Sequence, residues 1–305
     1  MASVQDLKRR TRSVRNTSKI TKALELVASA RLRRAQQRIE AMRPYAETMR
    51  ELIAGVGRSA SSVRGLPLLQ RREDVQTVGI VVLTGDRGLA GPFNSQIVRA
   101  GNRRAAELQA DGKEVLWYAS GRRGVSSLEF RQLEMGGSWT GFTDRPTFAD
   151  ARAIADGLTA AYVDDKVDRV EIFYNGYISA INQEVRHETL LPLQQADVLG
   201  GEDEDGDGDD GHEEDDQHSR ALWIYEPGPE EILARLVPDY VEISIYRALL
   251  ESTASEHGAR MSAMRSASDN AGEMIDDLTL EANRQRQAEI TQEIMEVVAG
   301  AEGLR

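Results

Sequence analysis

The sequence predicts a mixed α/β chain: a long antiparallel two-helix coiled coil made by the two termini, with a central Rossmann-like α/β domain between them. Three observations predict it. Near the N-terminus, Ala28, Leu32, Ala35, Ile39, Met42, Ala46, Met49, Ile53 and Val56 step by alternating fours and threes. Near the C-terminus, Leu250, Ala254, His257, Met261, Met264, Ser268, Ala271, Ile275, Leu278 and Ala282 do nearly the same. That spacing is the seam of a coiled coil. Between the ends the period changes: the β-branched runs VGIVVLT (Val78 to Thr84), VLWYAS (Val115 to Ser120) and VEIFYN (Val170 to Asn175) alternate with helical stretches from Pro92 to Ala110 and from Phe148 to Val163. Strands alternating with helices point to an α/β domain with a partly parallel sheet.

Taken in order, residues from about 3 to 56 read as one helix, about 80 Å long at 1.5 Å per residue. Pro44 falls inside it and should kink it locally. The expected units are 1–57 for this helix, 76–227 for the central domain, and 239–301 for the C-terminal helix. Between Thr11 and Thr21 the apolar row gives way to hydroxyls flanked by Arg and Lys, a stretch with little to bury against a single partner helix. Gly55 to Val75 reads as a linker. VRHETLLPL and ALWIYEP look like a late hairpin whose surface loop is an acidic, disordered segment at 200–218. After Pro227, Gly228 and Pro229 a short helix is expected to end at Pro238, with the C-terminal helix following from Asp239. Small residues on its seam, Ala254, Ser268, Ala271 and Ala282, let two helix axes approach closely. Beyond them, Ile290, Ile294, Val297 and Val298 have no N-terminal partner long enough to cover them, which leaves an apolar tip in need of an external sleeve.

Charge is unevenly spread. The 305 residues carry a net −12, yet Gly200 to Asp216 alone holds eleven acids and no base. The first fifty residues hold thirteen Lys or Arg against four Asp or Glu, so one end of the rod is positive. There is no cysteine, which excludes disulfides and thiolate metal sites. No apolar run of about 18 residues is present to span a bilayer, and no secretory signal is visible, so a bacterial-type cytoplasmic setting is expected. The four histidines, His187, His212, His218 and His257, show no metal-ligand spacing, and His257 reads as a packed seam residue. No nucleophile–base order or paired carboxylate stands out, so no cofactor, metal or catalytic residue is expected. TGDRGLAG, Thr84 to Gly91, has the strand–turn–helix context of a phosphate loop but neither GxGxxG nor the Lys-Ser/Thr of a Walker loop. It reads as a tight turn in which Asp86 and Arg87 make local or intersubunit pairs. The basic N-terminal helix leaves an alternative open, a nucleic-acid-binding coiled coil, although base-stacking aromatics do not accompany it. A small α/β enzyme with helical extensions is a third reading.

Four segments carry a family resemblance. LKRRTRSVRNTSKITKALELVASARLRRAQ (Leu7 to Gln36), TGDRGLAGPFN (Thr84 to Asn94), YRALLESTASEHGARMSAMRSASDNAGEMIDDL (Tyr246 to Leu278) and ITQEIMEVVAGAEG (Ile290 to Gly303) resemble the gamma subunit of the F-type ATP synthase. Gly303 departs from the small or basic residue usual there, and Ala90 stands where a Cys is common. The resemblance implies a non-catalytic central rotor shaft. Its paired helices would pass up a hexamer of alpha and beta subunits, and its foot would sit on the c-ring beside the epsilon subunit. Proton-driven rotation would then cycle the catalytic sites. It also implies a peripheral place on the cytoplasmic face of the bacterial plasma membrane, and no nucleic-acid partner. By matching positions, Lys22, Leu24, Arg260, Arg286, Gln287, Thr291 and Glu293 would contact the alpha/beta hexamer. Leu24 stands where a Met is usual, a near-isosteric change. The acidic run exceeds the family's usual short connection, and a tethered polyanion on the foot is a candidate regulator of rotation.

Overall fold

A computed structural model describes residues 3–59, 66–72, 74–180, 182–193 and 228–302. In chain order the elements are α1 (Val4–Ser59), β1 (Thr77–Leu83), α2 (Phe93–Ala110), β2 (Glu114–Ser120), α3 (Arg122–Phe130), β3 (Met135–Trp139), α4 (Phe148–Val163), β4 (Arg169–Tyr177), β5 (Gln183–Leu191) and α5 (Pro229–Glu302), with a 3-10 turn at Pro67–Leu69. The five strands form one sheet in the order β3-β2-β1-β4-β5. β3, β2, β1 and β4 run parallel, and β5 is antiparallel to β4. β1 and β4 are buried almost throughout, as the continuous apolar runs of a strand covered on both faces require.

Two cores sandwich the sheet. Ile80, Val82 and Trp117 pack with Ile97 of α2 and Leu128 of α3 on one face. Val81, Leu83 and Ile172 pack with Ile154 and Leu158 of α4, Ile53 of α1, and Val241 and Ile245 of α5 on the other. α4 starts where its capping box dictates: Thr147 accepts from the Asp150 amide, and the Asp150 carboxylate accepts the Thr147 amide at 2.7 Å.

The two terminal helices lie side by side and antiparallel. Thr21 Oγ1 and Ser268 Oγ are 2.6 Å apart, Arg265 donates to Glu25 at 3.2 Å, and Arg38 donates to the Tyr246 hydroxyl at 3.1 Å, so rising numbers on α1 meet falling numbers on α5. The row of α1 that faces α5 continues in steps of four and three past Ala28 to Glu25, Thr21 and Leu7, all buried. This corrects the expectation that the Thr11–Thr21 stretch has little to bury against a single partner helix. Its hydroxyls can be buried because they are satisfied: Thr11 donates to Leu7 O at 2.9 Å, and Thr21 meets both Ser18 O and Ser268.

Other expectations also shift. α5 is unbroken from Pro229, so Pro238 does not separate a short helix from a longer one starting at Asp239. Leu233, Val237 and Val241 around it are buried in the core, and that packing outweighs one lost backbone hydrogen bond. VRHETLLPL pairs with β4, with His187 opposite Phe173, so its hairpin partner among the described residues precedes it. ALWIYEP, the acidic run with His212 and His218, and Gly303 lie outside the described residues. α3 and β3 were not anticipated, since MGGSW carries two glycines and weak β character.

Candidate functional site

Two surfaces carry the chemistry: the shaft formed by α1 and α5, and the joint where the central lobe grips it. α1 has 56 residues and α5 has 74, so at 1.5 Å per residue they are roughly 84 and 111 Å long. With Thr21 opposite Ser268, the start of α1 lies opposite residues near Gln285, the last half-buried residue of α5 among the described side chains. Everything beyond is bare. Ile290, Ile294, Met295, Val297 and Val298 are 48–72% exposed, and no second element covers them among the described residues.

The residues expected at the partner surface divide along this shaft. Arg286, Gln287, Thr291 and Glu293 are all exposed on the bare end of α5. The side chains of Arg286 and Gln287 make no hydrogen bond or ion pair among the described residues, whereas the Thr291 hydroxyl donates to Gln287 O at 2.9 Å. Lys22 and Leu24 lie on α1 opposite Arg265, roughly 30 Å down the shaft from Arg286. Lys22 Nζ bonds Glu25 at 2.9 Å, lowering that carboxyl, and Arg265 grips the same group from α5. Leu24 is half-buried, beside the exposed Ile20, Leu26 and Val27. Arg260 joins neither group. Its guanidinium is nearly buried, paired with Glu256 and donating to Gly88 O at 3.2 and 3.4 Å, so it is committed inside the chain.

The joint forms around Asp86. Its carboxylate accepts the amides of Arg122 at 3.0 Å, Gly141 at 2.9 and 3.0 Å, and Thr143 at 3.1 Å, plus the Thr143 hydroxyl at 3.0 Å. Burial would raise this carboxyl, but those donors stabilise its charge and hold it below the usual value. Asp86 thereby ties together three loops at the C-terminal ends of β1, β2 and β3. Two glycines allow the close fit. Gly121 has φ +91° and a Cβ there would sit 2.1 Å from Thr84 O. A Cβ on Gly85 would sit 2.7 Å from the Glu256 carboxyl carbon, so the turn rests directly on α5. From α5, the Thr253 hydroxyl shares its one proton between Leu249 O at 2.8 Å and Thr143 O at 3.0 Å, and Arg260 holds Gly88 O. From α1, Arg31 pairs with Asp144. His257 lies between them, 3.8 Å from Asp144 and 3.3 Å from Arg260, with its imidazole pushed down to about 4 by burial and by Arg260. Arg87 stays mostly exposed, 3.9 Å from Asp144.

The TGDRGLAG turn therefore rests against α5, and its Asp86 is bonded within the chain. Sequence reasoning placed the turn but missed Thr143, Asp144, Thr253 and Glu256. The one available signal was a Glu and a Thr close to the α5 seam. Among the described residues no group of His, Asp and Glu is arranged to hold a metal ion, and no helix is long and apolar enough to cross a membrane.

The comparisons agree with one another. A family model described as ATP synthase matches residues 3–304. The chain is 42% identical over 304 residues to the ATP synthase gamma chain of Rubrobacter xylanophilus, covering 100% of this chain and 99% of that one. It is 39% identical over 315 residues to that of Nostoc punctiforme, covering all of both. Among solved structures it resembles a chain of the central stalk and c-ring of Tetrahymena thermophila mitochondrial ATP synthase, with TM-score 0.56, 27% identity, 82% of this chain and 99% of that one. A chain of the Euglena gracilis mitochondrial ATP synthase OSCP/F1/c-ring assembly shares the fold, with TM-score 0.67, 18% identity, 99% of this chain and 94% of that one. These findings give no support to a nucleic-acid-binding role. With the match running over the whole length, the chain belongs to the ATP synthase gamma chain family.

Proposed function

We propose that this protein is the central rotor shaft of a proton-translocating F-type ATP synthase, a non-catalytic subunit that couples ring rotation to conformational cycling of an alpha/beta hexamer. The observation that carries it is the bare apolar end of α5. A helix standing about 25 Å beyond its partner, with its Ile, Met and Val side chains in water, marks a surface that a partner covers. A hexamer bore supplies that cover. The shaft acts as a ligand whose orientation favours different hexamer states, so turning it redistributes those states.

In this reading α1 and α5 form a coiled coil, supported by the three–four spacing of the buried α1 row down to Leu7. The central unit, 76–227, is Rossmann-like, which the strand order reversing beside β1 supports. The helical units are 1–57 and 239–301, the latter extended back to Pro229 by the continuity of α5. Lys22 and Leu24 form a lower contact with the hexamer, and Arg286, Gln287, Thr291 and Glu293 an upper one. Arg286 is suited to a carboxylate through its planar fork of donors. The lobe rests on the c-ring beside epsilon, on the cytoplasmic face of the bacterial plasma membrane.

The test is reconstitution with alpha and beta subunits. A stable ATP-hydrolysing complex with one copy of this chain per hexamer is expected. Failure to assemble, or assembly with several copies, contradicts the reading.

A further inference from the structure

The shaft meets the lobe in two zones of different character. The lower zone has an apolar centre, where Ile53, Val237, Val241 and Ile245 pack against the sheet face and α4, and ion pairs at its rim, Arg152–Glu242, Arg186–Glu251 and Arg247–Glu188, all with partly exposed arginines. The upper zone is the polar collar around Asp86, which holds α5 between Thr253 and Arg260. Just above the collar Met261 still packs near Tyr177 of β4 and Ala263 faces Gly91; from there α5 runs on to Glu302, about 60 Å of lever at 1.5 Å per residue. A sideways or twisting load on that lever reaches the lobe first at the collar. Apolar contact is non-directional, and a rim of partly exposed ion pairs is weakened by water and salt. Charge-assisted hydrogen bonds fix an angle.

The geometry points to Asp86 as the positioning residue of a torsional joint, through which the lobe and the helix pair turn as one body. Asp86 touches neither helix. It acts through Thr143, whose amide and hydroxyl it holds and whose carbonyl accepts Thr253 of α5. One carboxylate thus sets the position of the loop that grips the shaft. This inference rests on the rotor reading and deepens it, because it names where torque crosses between the two parts of the chain.

The test uses the complete enzyme, with its membrane sector, in sealed liposomes, and reads protons pumped per ATP hydrolysed. Asp86→Asn is expected to lower that ratio at least threefold, since an amide sets an N–H group against backbone N–H donors. Thr253→Val, which leaves the Asp86 cluster intact, is expected to lower it at least twofold, and Thr253→Ser to restore it. Ile154→Val, a core change in the lobe, is the control: it lowers the melting temperature and leaves the ratio as in wild type. Wild-type ratios in both Asp86→Asn and Thr253→Val overturn the joint, as does an equal loss in Ile154→Val. A wild-type enzyme that hydrolyses ATP without pumping overturns the rotor reading itself, which separates the two failures.

Discussion

Thr21 of α1 and Ser268 of α5 share a hydrogen bond 2.6 Å long across 247 residues of sequence. Together with the neighbouring Arg265–Glu25 pair it fixes which turn of one helix faces which turn of the other. A polar pair in that place specifies register where Ala and Leu alone would allow sliding.

Removing either partner breaks this bond, and without Ser268 the Thr21 hydroxyl keeps only Ser18 O. Thr21→Val and Ser268→Ala should each cost about 1 kcal/mol, and the double variant less than the sum of the two. Urea unfolding of the full chain in a double-mutant cycle measures this. Additive costs would mean that the hydroxyls do not interact.

Acid sensitivity should centre on Glu171. This carboxylate in β4 is buried yet bonded by Arg104 at 2.9 and 3.1 Å and His187 at 2.8 Å, with Arg169 at 2.8 Å. Burial would raise it, but these partners bring it down to about 2. Because its folded value lies below its unfolded one, its contribution is present above about pH 5 and is lost as the pH falls toward 2, amounting to about 3 kcal/mol. Glu171→Gln should be less stable at pH 7 by about 3 kcal/mol or more and show a flatter stability profile between pH 5 and 2. Denaturation midpoints across that range decide it.

His257 adds a second window. Its folded value of about 4 lies below the ordinary 6.5, so the unfolded chain binds the proton first and stability falls as pH drops from 6.5 to 4. His257→Gln should flatten that segment alone. An imidazole seen by NMR to titrate near 6.5 in the folded chain would contradict the burial argument.

Arg286→Ala and Gln287→Ala should lower coupled ATP turnover several-fold while shifting stability by no more than about 0.5 kcal/mol, since both lie beyond the end of α1. Parallel turnover and melting measurements check this. Unfolding of either variant would mean that the segment packs within the chain.

Much of the fold was legible because its signals are local. The run Val78 to Thr84 became β1 at Thr77–Leu83, and Phe148 to Val163 became α4 to the residue, because apolar β-branched runs and a Thr-x-x-Asp cap act within a few positions. The bare tip was legible from the length difference between the two helical patterns. The joint was not. Asp86 is held by amides of Arg122, Gly141 and Thr143, and backbone donors carry no sequence signature. For Arg260, expected at the hexamer by its matching position, the pairing with Gly88 O and Glu256 was not legible, because it depends on where α5 crosses the turn. Pro238 was read as a break because the packing of Val237 and Val241 that overrides it is long-range.

The central claim is that this chain turns as an axle. Because it has no cysteine, a single exposed substitution, Asp111→Cys, on the lobe can carry a probe once the chain is assembled with alpha and beta subunits. Unidirectional rotation of that probe during ATP hydrolysis is expected. A probe that stays fixed relative to the hexamer while ATP is hydrolysed at the full rate would contradict the account.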